Sequence, residues 1–384
     1  MKQLIKYLFM ITSVVIIAGC SQLKLSGDNK SNNVAAGLVA LVLNSDTWFF
    51  VSNSTGADIY AYKHGSSGNN LGKTITLPAT SSGEFVGTTN NHVFVAMADA
   101  GKVGVIDVST GTPELATSIT AGIRPNHMYL APDGKYLWVM NDGNSAAPNK
   151  GADTTNCNSN QASVTVIKDG DAGATGSSAA TFVKTICVGR GHHKAAFSSI
   201  SPLRAFVSNI TDGTITVIDA DSASSTFLNV VTTLSLCDSA KEAALGKTCP
   251  SSTTGTTNSS APHGIDYSSE SGKIYNSNTG YGTVSAIHAS TLAVETIAVG
   301  YTGTLHASND KKYMLLKGTD KTTDSSHIYG KMNAIRVSDH VVKTVSYQDV
   351  NPDHFMFTPD GTKLYVVSST SGSGTQLTNL KNNV

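Results

Sequence analysis

The chain has 384 residues, of which 40% are hydrophobic and 14% are charged, and 27 Lys and Arg residues balance 27 Asp and Glu residues. This composition predicts a folded globular protein, and the zero formal net charge without a basic run argues against nucleic acid as a partner. Length alone predicts two or three domains, but a repeat that runs through the chain favours one ring-shaped domain.

The first twenty residues have the pattern of an export signal. Lys2 and Lys6 form a basic start, and the apolar run at positions 7–17 is too short to span a bilayer. The small residues Ala18 and Gly19 then provide a cleavage site for a signal peptidase. We expect this segment to be removed from the mature protein.

The cysteine after the cleavage site is the informative residue. Positions 17–20, which end in Cys20, resemble the lipobox of bacterial lipoproteins. The resemblance implies that residues 1–19 are removed, that Cys20 anchors the protein to the membrane through lipid, and that residues 20–37 are a flexible tether. Ser21 favours the outer membrane, on its periplasmic side or at the cell surface. The alternative is an ordinary secreted protein with an incidental cysteine.

Short apolar or alternating runs, separated by turn sequences such as Pro-Asp-Gly and Asp-Gly-Thr, recur along the rest of the chain. This pattern predicts β-strands in hairpins, about four to each copy. Stacked copies of such a unit bury each other's apolar faces, so residues 38–384 are predicted to form an all-β, seven-bladed β-propeller of four-stranded antiparallel blades. An open sandwich of short strands is the alternative. The predicted first strands are residues 38–43, 85–88, 128–130, 194–197, 264–267, 305–308 and 355–357.

The seventh copy has room for fewer than four strands. We therefore expect its missing strand to come from the residues before Leu38. Such an exchange closes the ring and removes the exposed strand edges that an open stack of sheets would leave.

Two insertions lengthen the repeat, at residues 144–163 and 236–261, and both are rich in small polar residues. Loops of this kind lie on the surface, where binding specificity is commonly added.

Four cysteines remain after Cys20, and an even number in an oxidising compartment predicts disulfides. The alternative, soft metal ligands, lacks a C-x-x-C spacing. We expect the pairs Cys157 with Cys187 and Cys237 with Cys249.

A histidine stands at or just before the predicted first strand in five copies, and in one copy it is doubled. First strands line the central channel of a propeller, so residues at their starts converge near one mouth of the channel. Imidazoles there suit a transition metal such as copper, iron or zinc, or a haem. The candidate metal ligands are His127, His192, His193, His263, His306 and His354.

Three further residues are candidates for ligand binding at this mouth. Glu84 takes the histidine position in the second copy. Arg124 and Arg190 lie in loops that lead into two first strands, where they would meet an anionic ligand or remain solvated.

The histidines also have two other interpretations. One is a structural role, as in propellers of the tryptophan–aspartate repeat class, where a Gly-His hydrogen-bonds between blade layers. The other is general-base catalysis.

Residues 122–139, 206–219 and 281–287 resemble the YVTN-type β-propeller repeat. The resemblance implies a propeller over most of residues 38–370 and leaves the activity open. Propellers related to this repeat include binding proteins, lactonases, haem d1-binding propellers and the propeller of nitrous oxide reductase, which has a histidine-ligated copper cluster on its axis. This sequence shows neither the cupredoxin domain with paired cysteines that accompanies that cluster nor a C-x-x-C-H motif.

The sequence thus favours a lipid-anchored periplasmic binding protein with a small ligand or a metal at the channel mouth. A metal-dependent redox enzyme, using copper or iron, or a cofactor carrier is the second interpretation. The third is a scaffold that holds a periplasmic protein partner with its two insertions. No residue is assigned a catalytic role.

Replacement of Cys20 by Ala should release the protein from the membrane fraction, because the lipid on this cysteine is the expected attachment. Fractionation of cells that express the wild type and the variant checks this, with Ser21→Ala as the control that keeps the cysteine. A Cys20→Ala protein that stays with the membranes would contradict the lipoprotein assignment.

Overall fold

The computed structural model describes residues 15–17, 38–43, 46–52, 56–65, 68–81, 84–171, 173–191, 194–324, 327–348, 352–357, 363–368 and 375–378. These residues are almost all β-structure, in seven antiparallel sheets that follow one another along the chain. The predicted all-β class is therefore confirmed. No helix in the described ranges is long and apolar enough to cross a membrane.

The first three sheets lie in the amino-terminal half of the chain. The strands of the first sheet are Val15–Ile17, Leu38–Leu43, Asp46–Ser52, Asp58–Gly65 and Gly68–Thr76. Those of the second sheet are Phe85–Gly87, His92–Met97, Lys102–Asp107 and Glu114–Thr120. Those of the third sheet are Pro125–Leu130, Tyr136–Asn141, Ala162–Asp169 and Ala180–Val188.

Four sheets follow. The fourth has Ala195–Phe197, Arg204–Asn209, Thr214–Asp219 and Val230–Ser235, and the fifth has Pro262–Ser268, Lys273–Asn278, Thr283–His288 and Val294–Ala298. The sixth has Leu305–Ala307, Tyr313–Asp324, His327–Arg336 and Val342–Gln348, and the described strands of the seventh are Pro352–Phe357, Lys363–Ser368 and Thr375–Thr378. Short helices are α1, Ser239–Ala244, and the 3₁₀ turns Ala98–Ala100 and Gly176–Ser178.

Each sheet is a meander in which every strand pairs antiparallel with the next strand along the chain. Sheets two to six each have four strands, which confirms the predicted four-stranded antiparallel blade. The predicted first strands coincide with the observed ones within a few residues at each end. The first sheet has five described strands and the seventh has three, so the count of seven blades stays a prediction.

The expected closing strand is not found in the described part of the seventh sheet. The described segment before Leu38, Val15–Ile17, pairs instead with Leu38–Leu43 at the edge of the first sheet, with Val15 opposite Ala40. This segment belongs to the predicted signal peptide, so its pairing does not test the expected exchange, which stays a prediction. Residues 18–37 lie outside the described residues.

The core lies between consecutive sheets. Clusters of buried apolar side chains fill each gap from the first sheet to the sixth. Between the third and fourth sheets, Trp138 is completely buried and meets Phe197 edge-to-face at 5.3 Å between ring centroids. Strands that are apolar on both faces, such as Leu137 to Met140, are needed because each blade is covered by a neighbour on both sides.

Three second strands end in a buried asparagine that holds the following turn. The side-chain amide of Asn209 donates to the hydroxyls of Thr214 and Thr216 on the third strand, at 2.9 Å each. Asn141 and Asn278 do the same in the third and fifth sheets, at 2.9–3.1 Å. We call these residues the clamp asparagines. Each clamp fixes the connection between the second and third strands of its blade.

A buried serine one residue before two of these clamps links neighbouring sheets. The Ser208 hydroxyl accepts from the Lys194 amide of its own sheet and donates to the His263 carbonyl of the next sheet, at 3.0 and 3.2 Å. Ser277 likewise accepts from the Gly264 amide and donates to the Gly303 carbonyl, at 2.8 and 2.6 Å. The loop that enters each of these first strands is therefore held by the preceding blade.

Both predicted disulfides are present. Cys157 bonds to Cys187 and Cys237 bonds to Cys249, each with 5.8 Å between Cα atoms. The first ties an insertion to the outer strand of the third sheet, and the second closes a loop within the other insertion. The predicted use of these cysteines is confirmed.

Replacement of the clamp Asn209 by Ala should lower the free energy of unfolding by about 2–3 kcal/mol, because two buried threonine hydroxyls lose their donor. Asn158→Ala is the control, since this exposed side chain bonds only to the Gln161 side chain among the described residues, and it should change stability by less than about 0.5 kcal/mol. Chemical denaturation measures both. Equal losses would show that the clamp has no special role.

Candidate functional site

The start of every first strand lies at one end of the blades, which we call the upper face. Strand direction alternates within a meander, so the connections between second and third strands, and those between successive blades, lie at this same end. Insertion 144–163 joins the second and third strands of the third sheet, and insertion 236–261 joins the fourth sheet to the fifth. Both insertions therefore share the upper face with the candidate histidines.

The two insertions meet above the fourth sheet. Gly255 lies against the Asn160 side chain so closely that an added Cβ would come within 3.0 Å of it. The Gly151 carbonyl accepts from the Gly191 amide at 3.1 Å, and Asn258 donates to the Gly213 carbonyl at 2.9 Å. The insertions and the loops between them form one continuous structure on the upper face, which we call the insertion wall.

Helix α1 anchors the second insertion through a buried carboxylate. Asp238 caps the helix, and Glu242, which is 1% exposed, accepts from the Tyr281 hydroxyl and the Ser259 amide, at 2.5 Å each. The hydrogen bond from Tyr281 is the largest cause that holds the pKa of Glu242 below its ordinary value. The insertion is thus bonded to the turn between the second and third strands of the fifth sheet.

The histidines do not occupy one position of the repeat. Pro125 and Pro262 each pair with the clamp asparagine of their own sheet, so the two prolines are equivalent. His127 is two residues past the first proline, but His263 is only one residue past the second. Both first strands carry the same bulge, with Met128 equivalent to Ile265, so His127 and His263 occupy neighbouring positions of equivalent strands.

The other described candidate histidines can be placed by the same comparison of strand positions. His354 is two residues past Pro352 in a bulged first strand, as His127 is past Pro125. At His354 the structure describes the backbone only. His306 occupies the position that Tyr129 and Asp266 hold in their sheets. Among the described histidines, only His127 and His354 thus share a register. His192 and His193 lie outside the described residues.

At the channel mouth, an imidazole lies beside a carboxylate. His127 Nδ1 is 3.7 Å from Glu84 Oε2, and both side chains are largely buried. The Glu84 carbonyl accepts from the Ala96 amide, which fixes this residue next to the second sheet. Asn126, beside His127, donates to the Asp142 carboxylate at 2.9 Å. The second and third blades therefore bring imidazole, carboxylate and amide groups together.

The pKa of Tyr129 reflects the negative charge in this region. Burial is the largest cause that raises the pKa of its phenol far above the ordinary value, and the negative charges of Glu84, Asp266 and Asp142 raise it further. Three carboxylates from the second, third and fifth sheets thus act on one side chain. Sequence reasoning missed these two aspartates and the tyrosine, although a polar residue two positions after His127 was a usable signal.

A complete metal site is not present in the described part of the molecule. No three His, Cys, Asp or Glu side chains there lie close enough to one another to hold an ion. Among the described residues, the two potential metal ligands that lie next to each other at this mouth are His127 and Glu84. A metal at this mouth would need ligands from His192, His193 or His354, whose side chains are outside the described part of the structure, so all six candidate histidines of the sequence analysis stay predicted ligands.

Arg190 is held by an ion pair. Its Nε and terminal nitrogen both lie 2.8 Å from Asp212 Oδ1, and its backbone amide donates to Oδ2 of the same carboxylate at 2.9 Å. Asp212 is completely buried on its side chain. This pair orders the loop into the fourth sheet, so Arg190 contributes to loop structure, and its predicted contact with a ligand stays a prediction.

Arg124 is exposed and has a left-handed backbone conformation, with φ of +56°. Ala261, which precedes the equivalent proline of the fifth sheet, has φ of +48°. The carbonyls of both residues accept a backbone hydrogen bond, from Asp142 and Thr279 respectively. The loop geometry therefore imposes the strained conformation at both places, and it displays the Arg124 side chain on the upper face.

The fold defines the protein as a β-propeller, and solved structures support this class. The chain is similar to Kuenenia stuttgartiensis hydrazine synthase, at 14% identity and a TM-score of 0.55 over 87% of this chain and 92% of that chain. It is similar to virginiamycin B lyase of Staphylococcus aureus, at 11% identity and 0.50 over 86% and 90%. For the dihydro-heme d1 dehydrogenase NirN the values are 12% and 0.51 over 81% and 64%.

These similarities establish the fold alone, because all three identities are far below the level at which function carries over. No protein-family model and no curated protein matches the chain.

Replacement of Arg124 by Gly should raise the free energy of unfolding by roughly 0.5–1 kcal/mol, since glycine adopts a positive φ without strain. Ala261→Gly tests the same backbone position without a charged side chain and should give a similar gain. Thermal and chemical unfolding measure both. A loss of stability in Arg124→Gly alone would show that the arginine side chain supports the fold, which would contradict a ligand-binding role.

Proposed function

We propose that the protein is a lipid-anchored periplasmic binding protein whose ligand is a cation, with a transition metal as the candidate, at the channel mouth of the upper face. The observation that supports it most is the His127–Glu84 pair, in which an imidazole nitrogen lies 3.7 Å from a carboxylate oxygen, and the negative charges of Asp142 and Asp266, which act on nearby Tyr129, agree with it. Such a region favours a positively charged ligand, and imidazole with carboxylate is a donor set for zinc, iron or copper.

The proposed ligands begin with the His127–Glu84 pair. His354 shares the register of His127, which makes it the first candidate to complete a site with that pair. His263 and His306 lie one residue earlier and two residues later in the repeat, so they would approach the channel at other heights. His192 and His193 remain candidates because of their place before the fourth first strand.

The proposed cellular localisation rests on the sequence. The lipobox resemblance at positions 17–20 supports attachment through Cys20, with residues 20–37 as the tether. The two disulfides fit an oxidising compartment outside the cytoplasm. Membership of the YVTN-type repeat family is part of this proposal and rests on the quoted sequence stretches.

A scaffold function is the second candidate, and the insertion wall favours it. Two insertions that are each tied by a disulfide and packed against one another present an ordered surface on one side of the upper face. Ordered loops lose less conformational entropy when a partner binds. The redox-enzyme interpretation has no comparable support in the described residues.

Elemental analysis and the visible spectrum of the processed, full-length protein test the metal proposal. We expect a stoichiometric metal, and Glu84→Gln and His127→Ala should each weaken metal affinity roughly tenfold or more, because each removes a donor. His288→Ala is the control, since this histidine bonds to Ser290 in a turn at the opposite end of the fifth sheet.

A metal-free protein whose apo form does not take up zinc, copper or iron would overturn the metal site. Metal retained in full by both variants would place the ion elsewhere and would also contradict the proposal. Loss of metal in the His288→Ala control would mean that the variants act through stability.

A further inference from the structure

A histidine and an aspartate meet inside the interface between the second and third sheets. His92 begins the second strand of the second sheet, and Asp169 ends the third strand of the third sheet. Both positions lie at the end of the blades opposite the upper face, because strand direction alternates within each meander. His92 Nδ1 is 2.7 Å from Asp169 Oδ1, and both side chains are 0% exposed. The pair is thus a contact between two blades, separate from the candidate site at the channel mouth.

The backbone on each side holds this pair in place. His92 lies opposite Asp107 in the ladder between the second and third strands of its sheet. Asp169 is paired in the ladder between the third and fourth strands of its own sheet. The Asn90 side-chain amide donates to the Gly170 carbonyl at 2.8 Å, which is a second bond between the same two sheets. Since both groups belong to paired strands, neither reaches water unless the two blades separate.

The carboxylate of Asp169 depends on the imidazole for its charge balance. Its Oδ2 is buried and has no hydrogen-bond partner among the described residues. A buried carboxylate without a counter-charge is costly. Asp107, which is 4% exposed, is the other carboxylate that acts on the ring, and the loop after Asp169 contributes the Ala174 carbonyl. These surroundings of His92 are negative, and an imidazolium is the group that balances them.

The folded structure favours a proton on His92. Burial is the largest influence on the pKa of this imidazole and lowers it, but the hydrogen bond and the negative charge of Asp169 outweigh burial. With the smaller contributions of Ala174 and Asp107, the pKa of His92 lies above its ordinary value. In the unfolded chain the ordinary value returns, so the folded protein holds the proton more tightly. The resulting stabilisation is complete below the ordinary histidine pKa and is lost as the pH rises through the raised one.

We propose that the His92–Asp169 pair is a latch between the second and third blades that a proton operates. While the imidazole is protonated, two opposite charges hold the blades together. When the proton leaves at alkaline pH, a buried carboxylate remains without a counter-charge, and the interface loosens. The same two blades supply Glu84 and His127 to the channel mouth, so the latch controls from the opposite end how firmly those two groups are held. The latch itself needs no ligand at the mouth.

Histidine NMR on the processed, full-length wild type tests the proton directly, with the His92 signals identified by sequential assignment. We expect the His92 imidazole to be more than half protonated at about pH 6.5, the ordinary histidine value, and to lose its proton only at higher pH. Ring nitrogen shifts report the protonation state, and this measurement needs no variant.

Replacement of Asp169 by Asn keeps the shape of the pair and removes its negative charge. At about pH 6 the unfolding equilibrium constant should rise about a hundredfold, because a buried ion pair is lost. The gap from the wild type should narrow as the pH rises to about 9, since the wild type then loses the same charge pair. Chemical denaturation across this pH range measures both proteins.

His340→Gln is the matched control. This histidine also bonds to a neighbouring sheet, with its Nε2 at 3.2 Å from the Tyr275 hydroxyl. Burial is the largest cause that lowers the pKa of His340, so its titration changes stability on the acid side, and the alkaline loss of stability should remain in the variant.

Three results would overturn the inference. The first is a His92 imidazole that is mostly neutral at about pH 6.5 in the wild type. The second is an Asp169→Asn protein whose stability follows the wild-type pH dependence. The third is an alkaline loss that disappears in His340→Gln, which would assign the titration to that residue. If Asp169→Asn does not fold, the NMR titration of the wild type decides.

Discussion

A buried side-chain amide at the end of the second strand sets the geometry of the upper face. In Asn141, Asn209 and Asn278 it donates to two hydroxyls on the third strand, so the connection between these strands leaves each blade in the same way. An amide without these acceptors would be costly to bury, and so the Ser and Thr residues opposite are part of the same constraint. The channel mouth and the insertion wall are both built on connections fixed in this manner.

The sequence predicted the features that depend on periodicity. Alternation and turn residues located the first strands, and proximity in sequence gave both disulfides, because a short loop is the least costly to close. The register of the histidines was not predictable in the same way. The bulge after the proline is the same in both strands, and it is the pairing of the two prolines with equivalent asparagines that shows His127 and His263 to differ by one position.

Long-range electrostatics explain the rest of what sequence reasoning missed. Asp266 of the fifth sheet lies far along the chain from Tyr129 of the third, and their interaction exists only because blades from different parts of the sequence face one channel. The upper face that results is asymmetric. The insertion wall rises over the fourth blade and reaches the fifth, while the His127–Glu84 pair joins the second and third. A ligand at the mouth would therefore meet the His127–Glu84 pair on one side and the insertion wall on the other.

The serine links between blades have a consequence for the evolution of such rings. Ser208 and Ser277 each sit on the second strand of one blade and hold the entry loop of the following blade. A unit that runs from the second strand of one blade to the first strand of the next would therefore keep the serine link, although it would divide the ladder between the first and second strands of a blade. A chimera cut between two sheets would separate His263 from the residue that fixes its carbonyl, whereas a cut within a sheet would preserve that contact.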